Sequence, residues 1–326
     1  MRFAQVNDIA SVASELAAAL RKRGHEVDLL HPKLHGASLP PLGKLAVSPL
    51  RIFDWLRLAW ELRMGRYDAV HIHYGYLGIV GLIARVPYVL HCHGDDVRDV
   101  DRRIWAPVIR LAIRRASHVY YSTPDLRQPL LRIRQDVEFL PNPIDIEHFR
   151  PAPLPEDADD VLIACALAEN KGASAILQAV RLLAETRPGI RVEAFAGGSA
   201  TAEAQQLPNV LVLLHQPRHK LAALFSRHRV IVGQVHQGAI GMVELEALAC
   251  GRPVVCHFTY NDAYDEAPPF VQAANAEDVV TAVVALLDNP TDAARIAAAG
   301  PPWVARYHNA AVIAERIENL AIQNSR

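Results

Sequence analysis

The hydrophobic pattern alternates between short apolar runs and longer stretches with helical spacing. Arg2 to Val6 is a short apolar run, followed by Asn7 and Asp8, residue types that cap helices. Val12, Leu16 and Leu20 then recur at i, i+4 and i+8. That spacing predicts a helix from about Ile9 to Arg23, ended by Gly24. His25 to Leu30 is the next apolar run. Strand, helix and strand with tight joints make a βαβ unit, which predicts a parallel sheet.

The alternation continues along the chain. Further strands are predicted at Ala69–His73, Tyr88–His93, His118–Ser122 and Val137–Leu140. Prolines at 141, 143, 151, 153 and 155, with Glu156, Asp157, Asp159 and Asp160, then mark a hinge. A second series follows, with strands at Val161–Leu167, Arg191–Ala196, Val210–Leu214, Val230–Val232 and Pro253–His257. Its helices are predicted at Ala173–Thr186, Lys220–Arg227, Gly241–Ala249, Ala276–Leu287 and from about Pro302 onward. The fold class expected is α/β, with two doubly wound Rossmann-like domains facing each other across a cleft. The division expected is 1–154, 155–305, and a C-terminal helix over 306–326 that can pack back on the first domain.

Leu50 to Met64 carries Arg51, Asp54, Arg57 and Glu61 on one helical face and bulky apolar residues elsewhere. Trp55 and Trp60 suit a helix lying on a membrane surface. A helix apolar over most of its circumference is more often core, and the core reading is preferred.

Composition narrows the class. At about 100–200 residues per domain, 326 residues fit two domains. A hydrophobic fraction of 51% against 21% charged is globular, not disordered. The net charge of −1 argues against a nucleic-acid partner. Residues 1–150 hold 21 Lys and Arg against 16 Asp and Glu, a balance of +5; residues 151–326 balance at −6. A basic first half suits an anionic partner there. Cys92, Cys165, Cys250 and Cys256 form no C-x-x-C pair and read as buried apolar residues of a reducing compartment. The N-terminus has no apolar leader and the longest apolar run is far short of a membrane span. The expectation is a cytoplasmic protein, peripheral at most to the inner face of a membrane.

Three segments carry candidate chemistry. In Gly238 to Val255 two glycines precede a helix whose first amides and dipole favour a diphosphate, and Glu246 can accept hydrogen bonds from a ribose diol. Lys171 sits where a strand ends and a helix begins, placed to neutralise phosphate. HIHYGY (71–76) and HCHGDDVR (91–98) each present H-x-H at a strand end. Those histidines admit three readings: dinuclear metal ligands, sugar-binding groups of a cleft, or strand-end rings satisfied by backbone.

In order along the chain, RKRGHEVDLL (21–30), HCHGDDVR (91–98), STPDLRQPL (122–130), LPNPIDIEHFRP (140–151), NKGASAILQAV (170–180) and LEALACGRPVV (245–255) resemble the motifs of glycosyltransferase family four. This is the large retaining GT-B family, and the resemblance spans nearly the whole chain. It implies a retaining hexosyl-type glycosyltransferase, with a nucleotide sugar as co-substrate and no cofactor or metal ion. The acceptor implied is a glycan, lipid-linked or small molecule, as in polysaccharide biosynthesis. By this resemblance Lys171 holds the donor diphosphate, Glu246 grips the ribose, and Gly241 and Met242 contact phosphate and sugar. His93 touches the donor sugar, with Asp95 in the acceptor-side loop. The chain departs from the family at four places, one of them the usual GGxxE loop, where YNDAYDEAPPFVQA (260–273) stands instead. Gly238 stands where the first of two paired glutamates is expected, which resembles a divergent subgroup with a Gln and a G-x-x-G there. Gln234 or His236 is expected to cover the lost contact. Ala166 replaces an arginine, and NDIASVAS (7–14) replaces a glycine pair. A non-catalytic nucleotide or glycan binder is the rival reading. A zinc hydrolase built on His71, His73, His91 and His93 predicts none of the later motifs.

Overall fold

The computed structural model describes residues 1–33, 35, 39, 46–102, 104–155, 160–214 and 216–324. The chain divides into two compact units, Met1–Pro143 with Ala310–Arg326, and Ile144–Asn309.

The first unit is a parallel six-stranded sheet with helices between successive strands. In chain order it holds β1 (Arg2–Val6), α1 (Val12–Lys22), β2 (Glu26–Leu30), α2 (Ser48–Met64), β3 (Ala69–His73), α3 (Gly78–Ala84), β4 (Val89–Cys92), α4 (Ala106–Arg115), β5 (His118–Tyr121), α5 (Arg127–Leu131) and β6 (Glu138–Phe139). The strand order is β2-β1-β3-β4-β5-β6, and every pair is parallel. Ala4, Val6, Val70, Ile72, Leu90, Cys92 and Val119 feed one buried cluster.

The second unit repeats the plan. It holds β7 (Asp160–Ile163), α6 (Ala173–Thr186), β8 (Arg191–Phe195), α7 (Thr201–Ala204), β9 (Val210–Leu213), α8 (Leu221–Ser226), β10 (Val230–Val232), α9 (Met242–Ala249), β11 (Val254–Cys256), β12 (Val271–Gln272), α10 (Ala276–Asp288) and α11 (Pro290–Tyr307). Its order is β12-β11-β10-β7-β8-β9, again all parallel. Both units are Rossmann-like. The last helix, α12 (Ala310–Asn324), returns to the first unit, where Glu318 pairs with Arg23 at 2.5 Å and His25 at 3.0 Å.

The first boundary falls at Pro143/Ile144, earlier than the 154/155 expected. The segment after it is fastened to the second unit. The Ile144 amide donates to the His308 carbonyl at 2.7 Å and the Ala152 amide to the Cys250 carbonyl at 3.2 Å, while the buried Arg252 guanidinium donates to the Ala152 and Pro153 carbonyls. Glu156, Asp157 and Asp159 of the expected hinge lie outside the described residues. The second boundary falls at 309/310, not 305/306, because α11 runs on to Tyr307 through Pro301 and Pro302. Gly300 lets that helix approach α9, where a Cβ would stand 2.6 Å from the Leu248 carbonyl oxygen.

The core reading of 50–64 holds for one face of the helix, where Leu58, Ala59 and Leu62 join the buried cluster, and fails for the other. Asp54, Leu58, Ala59 and Leu62 face inward, while Phe53 is 70%, Trp60 65% and Met64 60% exposed. Asp54 is buried on the inner face. Its carboxylate accepts the Lys33 amide at 2.6 Å and pairs with Arg57 at 2.8 Å, and Arg57 donates to the His31 carbonyl at 3.1 Å. A satisfied ion pair at the end of β2 is buried, and the opposite apolar stripe is left outside. No helix among the described residues is long and apolar enough to cross a membrane. All four cysteines are buried and unbridged, and burial pushes the thiols of Cys165 and Cys250 up to about 12.

Candidate functional site

In an open parallel sheet, the connections that leave neighbouring strands on opposite sides of a reversal open a crevice at the strands' carboxyl ends. In the second unit the order reverses between β7 and β10. Lys171 ends the loop after β7, and Gln234 to Gly241 follow β10. The two loops are joined. The Val235 amide donates to the Lys171 carbonyl at 3.0 Å, and Lys171 Nζ donates to Gln237 Oε1 at 2.8 Å. Gly172 allows the approach, with φ of +85° and a would-be Cβ only 2.6 Å from Val235 Cγ2.

Gln234 is fully buried and shapes its own loop. Its Oε1 accepts the amides of His236 at 3.0 Å and Gln237 at 2.7 Å, and its Nε2 donates to the His257 carbonyl at 2.5 Å. Glu244, one turn into α9, clamps the same loop. It accepts the Gln234 amide on Oε1 and the Gly241 amide on Oε2, both at 3.1 Å. The Gly241 amide is therefore engaged, and Met242 begins the helix. Gly238 takes φ of +70°, and a Cβ there would meet Thr259 Oγ1 at 2.6 Å. A glutamate there would carry left-handed strain and would have to displace the Thr259 side chain. Glu246 is buried on α9 and pairs with Arg218 at 2.8 Å, and the Arg218 guanidinium also lies 5.0 Å over the Phe149 ring.

In the first unit the order reverses between β1 and β3. Asn7, Ala10 and Ser11 after β1, and Tyr74 after β3, all take positive φ (71°, 49°, 66° and 92°). Left-handed conformations at non-glycine residues cost energy and concentrate where loops must be held in one shape. The Asn7 amide side chain closes the gap by donating to the His73 carbonyl at 3.2 Å.

His93 follows β4. Its ring Nε2 lies 2.9 Å from Nδ1 of His73, whose Nε2 lies 2.7 Å from Gln5 Oε1. Burial lowers the imidazole of His93 to about 3, so it is neutral at any working pH. Asp95 points outward and pairs with Arg98 at 2.9 Å; Arg98 also holds Asp125 at 2.7 Å. Its neighbour Asp96 is the buried one. It accepts the amides of Gly75 at 2.7 Å, Gly94 at 2.8 Å and His93 at 3.1 Å, and so ties the loops after β3 and β4 together.

Glycosyltransferase Family 4 matches residues 9–148, and Glycosyl transferases group 1 matches residues 145–303. Together they take in nearly all of both units. The chain belongs to these glycosyltransferases. A D-inositol 3-phosphate glycosyltransferase of Mycobacterium avium is 28% identical over 58% of this chain and 53% of its own. The chain spans about half the length of the curated relatives that it matches first. Two solved structures share the fold across both chains. Sucrose-phosphate synthase of Thermosynechococcus elongatus has a TM-score of 0.75 at 17% identity, covering 99% of this chain and 98% of the other. Alr3699/HepE of Anabaena, solved with UDP and glucose, has a TM-score of 0.72 at 14% identity, covering 98% and 99%. The fold is GT-B.

The structure thus gathers Lys171, Gln234, Gly238, Gly241, Met242 and Glu246 in the second unit and puts His93 and Asp95 in the first. Two side chains with central places in these loops escaped the sequence reading. Asp96 follows Asp95 directly, and the doubled acid gives no sign of which carboxylate turns inward. Arg218 lies in a loop among His219 and Lys220, where a basic side chain looks solvated.

Proposed function

We propose that the protein moves a hexosyl group from a nucleotide-sugar donor to an acceptor, with retention of anomeric configuration and without a metal ion in the donor chemistry. The donor diphosphate rests against Lys171 and the first amides of α9 beyond Gly241, where a cation and a helix N-terminus offset the charge that builds on the departing phosphate. Glu246 takes the ribose, with Gly238 leaving room beside it. His93 offers a neutral imidazole to the donor sugar, and Asp95 lies on the acceptor side. No covalent nucleophile is invoked. The leaving phosphate assists removal of the acceptor proton, and the enzyme supplies binding and orientation.

The observation that carries this reading is the junction of Lys171 with the Gln234–Gly241 loop at the reversal point of the second sheet. A 2.8 Å hydrogen bond there ties the cation to Gln237, in the loop that leads into α9. The acceptor belongs to the first unit, whose exposed α2 face supports contact with a membrane surface and hence a lipid-linked acceptor of cytoplasmic synthesis.

The test is thermal stabilisation by UDP, GDP and ADP, followed by turnover of the matching nucleotide sugars. A nucleotide at 100 times its Kd adds about 2.7 kcal/mol. One nucleotide should stabilise the wild type and fail with Lys171→Ala. Stabilisation without turnover of any sugar would favour the binder reading, to which Ala166 and Gly238 point. No stabilisation at millimolar concentration would overturn the donor site.

A further inference from the structure

His71 and His73 on β3 and His91 on β4 lie on one face of the first sheet, while Ile72, Leu90 and Cys92 between them enter the apolar cluster. The register pairs His73 with His91 directly. All three side chains are buried, at 2% exposure or less. One ring nitrogen from each lies within 4.8 Å of the others, and among the described residues they form the one such group of metal-binding side chains. The His71 and His91 rings are parallel within 5°, their centres 5.4 Å apart.

Their hydrogen bonding is unequal. His73 is held at both nitrogens, by His93 and by Gln5. Among the described residues neither nitrogen of His71 meets a hydrogen-bonding partner, and the only group near enough to bond the His91 ring is the Leu140 backbone. Histidines kept for packing alone would be expected to find backbone or side-chain partners, because buried polar groups are rarely left unmet. Buried imidazole nitrogens on adjacent strands, those of His71 without a partner among the described residues, are instead the donor set of a late first-row transition ion.

We propose that His71, His73 and His91 bind one late first-row transition-metal ion, of the zinc or copper(I) type, within the first unit. Metal–nitrogen bonds of about 2.0–2.1 Å put ligand atoms roughly 3.4 Å apart, so modest ring rotations close the site. Gln5 Oε1, 2.7 Å from His73 Nε2, is the outer partner that fixes the ring and leaves Nδ1 for the metal. His93, partly exposed and 2.9 Å from that Nδ1, marks the way in and a fourth position. The ligands are neutral. Zinc would take a water-derived anion at the fourth position, whereas copper(I) needs none. The ion braces β3 and β4, whose ends carry the Tyr74 and His93 loops. It is separate from the donor chemistry, and the proposal does not depend on the nature of the transferred sugar.

The experiment uses the full chain, stripped with chelator and titrated with Zn2+, Co2+, Mg2+, and Cu+ under reductant. The expected result is one ion bound per chain, a raised melting temperature with Zn2+ or Cu+, and no effect of Mg2+. Bound Co2+ should give the intense visible bands of a four-coordinate nitrogen site, a readout on the wild type that needs no variant. His91→Gln and His71→Gln should each abolish the bands or weaken binding by at least 10-fold, and Gln5→Leu should weaken it by about 10–100-fold. His148→Ala and His219→Ala, at exposed positions, should leave it unchanged. Failure of the wild type to bind Zn2+, Co2+ or Cu+ at one per chain would overturn the proposal. So would Co2+ bands that survive His91→Gln or disappear with His219→Ala.

Discussion

Nε2 of His93 lies 2.9 Å from Nδ1 of His73, and this pair ends a polar chain that starts at Gln5. The chain lies inside an otherwise apolar sheet, so its protons are costly. Burial lowers His71 and His93 to about 3 and holds His73 and His91 well below the ordinary value, helped by the neighbouring rings. In the unfolded chain each titrates near 6.5. The unfolded state therefore binds more protons between about pH 6.5 and pH 3, and stability rises with pH through that window and is lost on acidification. Together the four groups forfeit stability on the order of a few kcal/mol between pH 7.5 and pH 5.5. Urea unfolding of the chelator-stripped protein at these two pH values should show a loss of that order. Equal stability at both would mean that the rings are not buried in neutral form.

Restoring the family's glutamate should not help this protein. Gly238 is left-handed and packs on Thr259. Gly238→Glu incurs about 1–2 kcal/mol for the backbone alone, and the contact with Thr259 adds to it. The expected outcome is a lower melting temperature and no gain in turnover. A Gly238→Glu variant with faster turnover and unchanged melting would show that the loop accepts the paired-glutamate arrangement after all.

The strands were legible because parallel strands covered on both faces read as apolar runs, and those at Arg2–Val6, Ala69–His73 and Val230–Val232 match residue for residue. β12, two residues long, carries too little periodicity to announce itself. Gly300 followed by Pro301 and Pro302 imitates a helix start, yet the helix begins at Pro290 behind the Asn289 cap. In α2 the helix was legible but its facing was not, since apolar side chains lie on both faces and the inner one is marked by Leu58, Ala59 and Leu62 together with the buried Asp54. At the site, Lys171 and the α9 start were legible from glycine and lysine at strand ends. The left-handed Ala10 and Ser11 were not, because a substituted glycine leaves no trace of its conformation. Ser11→Gly should relieve about 1 kcal/mol of strain and raise the melting temperature. An unchanged or lowered value would mean that the loop is not strained there.

Arg218 and Glu246 form the most consequential ion pair of the second unit, because Glu246 is 2% exposed. Removing Arg218 takes the ion-pair partner from a buried carboxylate. Arg218→Ala should destabilise by about 3–5 kcal/mol. Replacing both with leucine should recover much of that loss, since a buried pair contributes little beyond an apolar replacement. If Glu246 takes the ribose as proposed, nucleotide stabilisation should be lost in the double variant. Recovery of nucleotide binding together with stability would remove Glu246 from the donor site.

The outward stripe of α2 offers the most direct test of where the acceptor is met. Phe53, Leu56, Trp60 and Met64 are half or more exposed, and exposed Arg63 and Arg66 follow at the helix's end. Aromatic and aliphatic side chains beside arginines suit the boundary of an anionic bilayer, where rings sit among headgroups and guanidinium groups meet phosphate. The full chain should co-sediment with vesicles containing phosphatidylglycerol, and less with phosphatidylcholine alone. Phe53→Ser with Trp60→Ser should abolish co-sedimentation while leaving nucleotide stabilisation intact, because these side chains make no inward contact that the fold depends on. Arg63→Ser with Arg66→Ser should weaken binding in proportion to the anionic lipid. If the stripe instead joins two copies of the chain, the wild type will sediment as a dimer without lipid and the Phe53/Trp60 variant as a monomer, and membrane contact through α2 is then excluded.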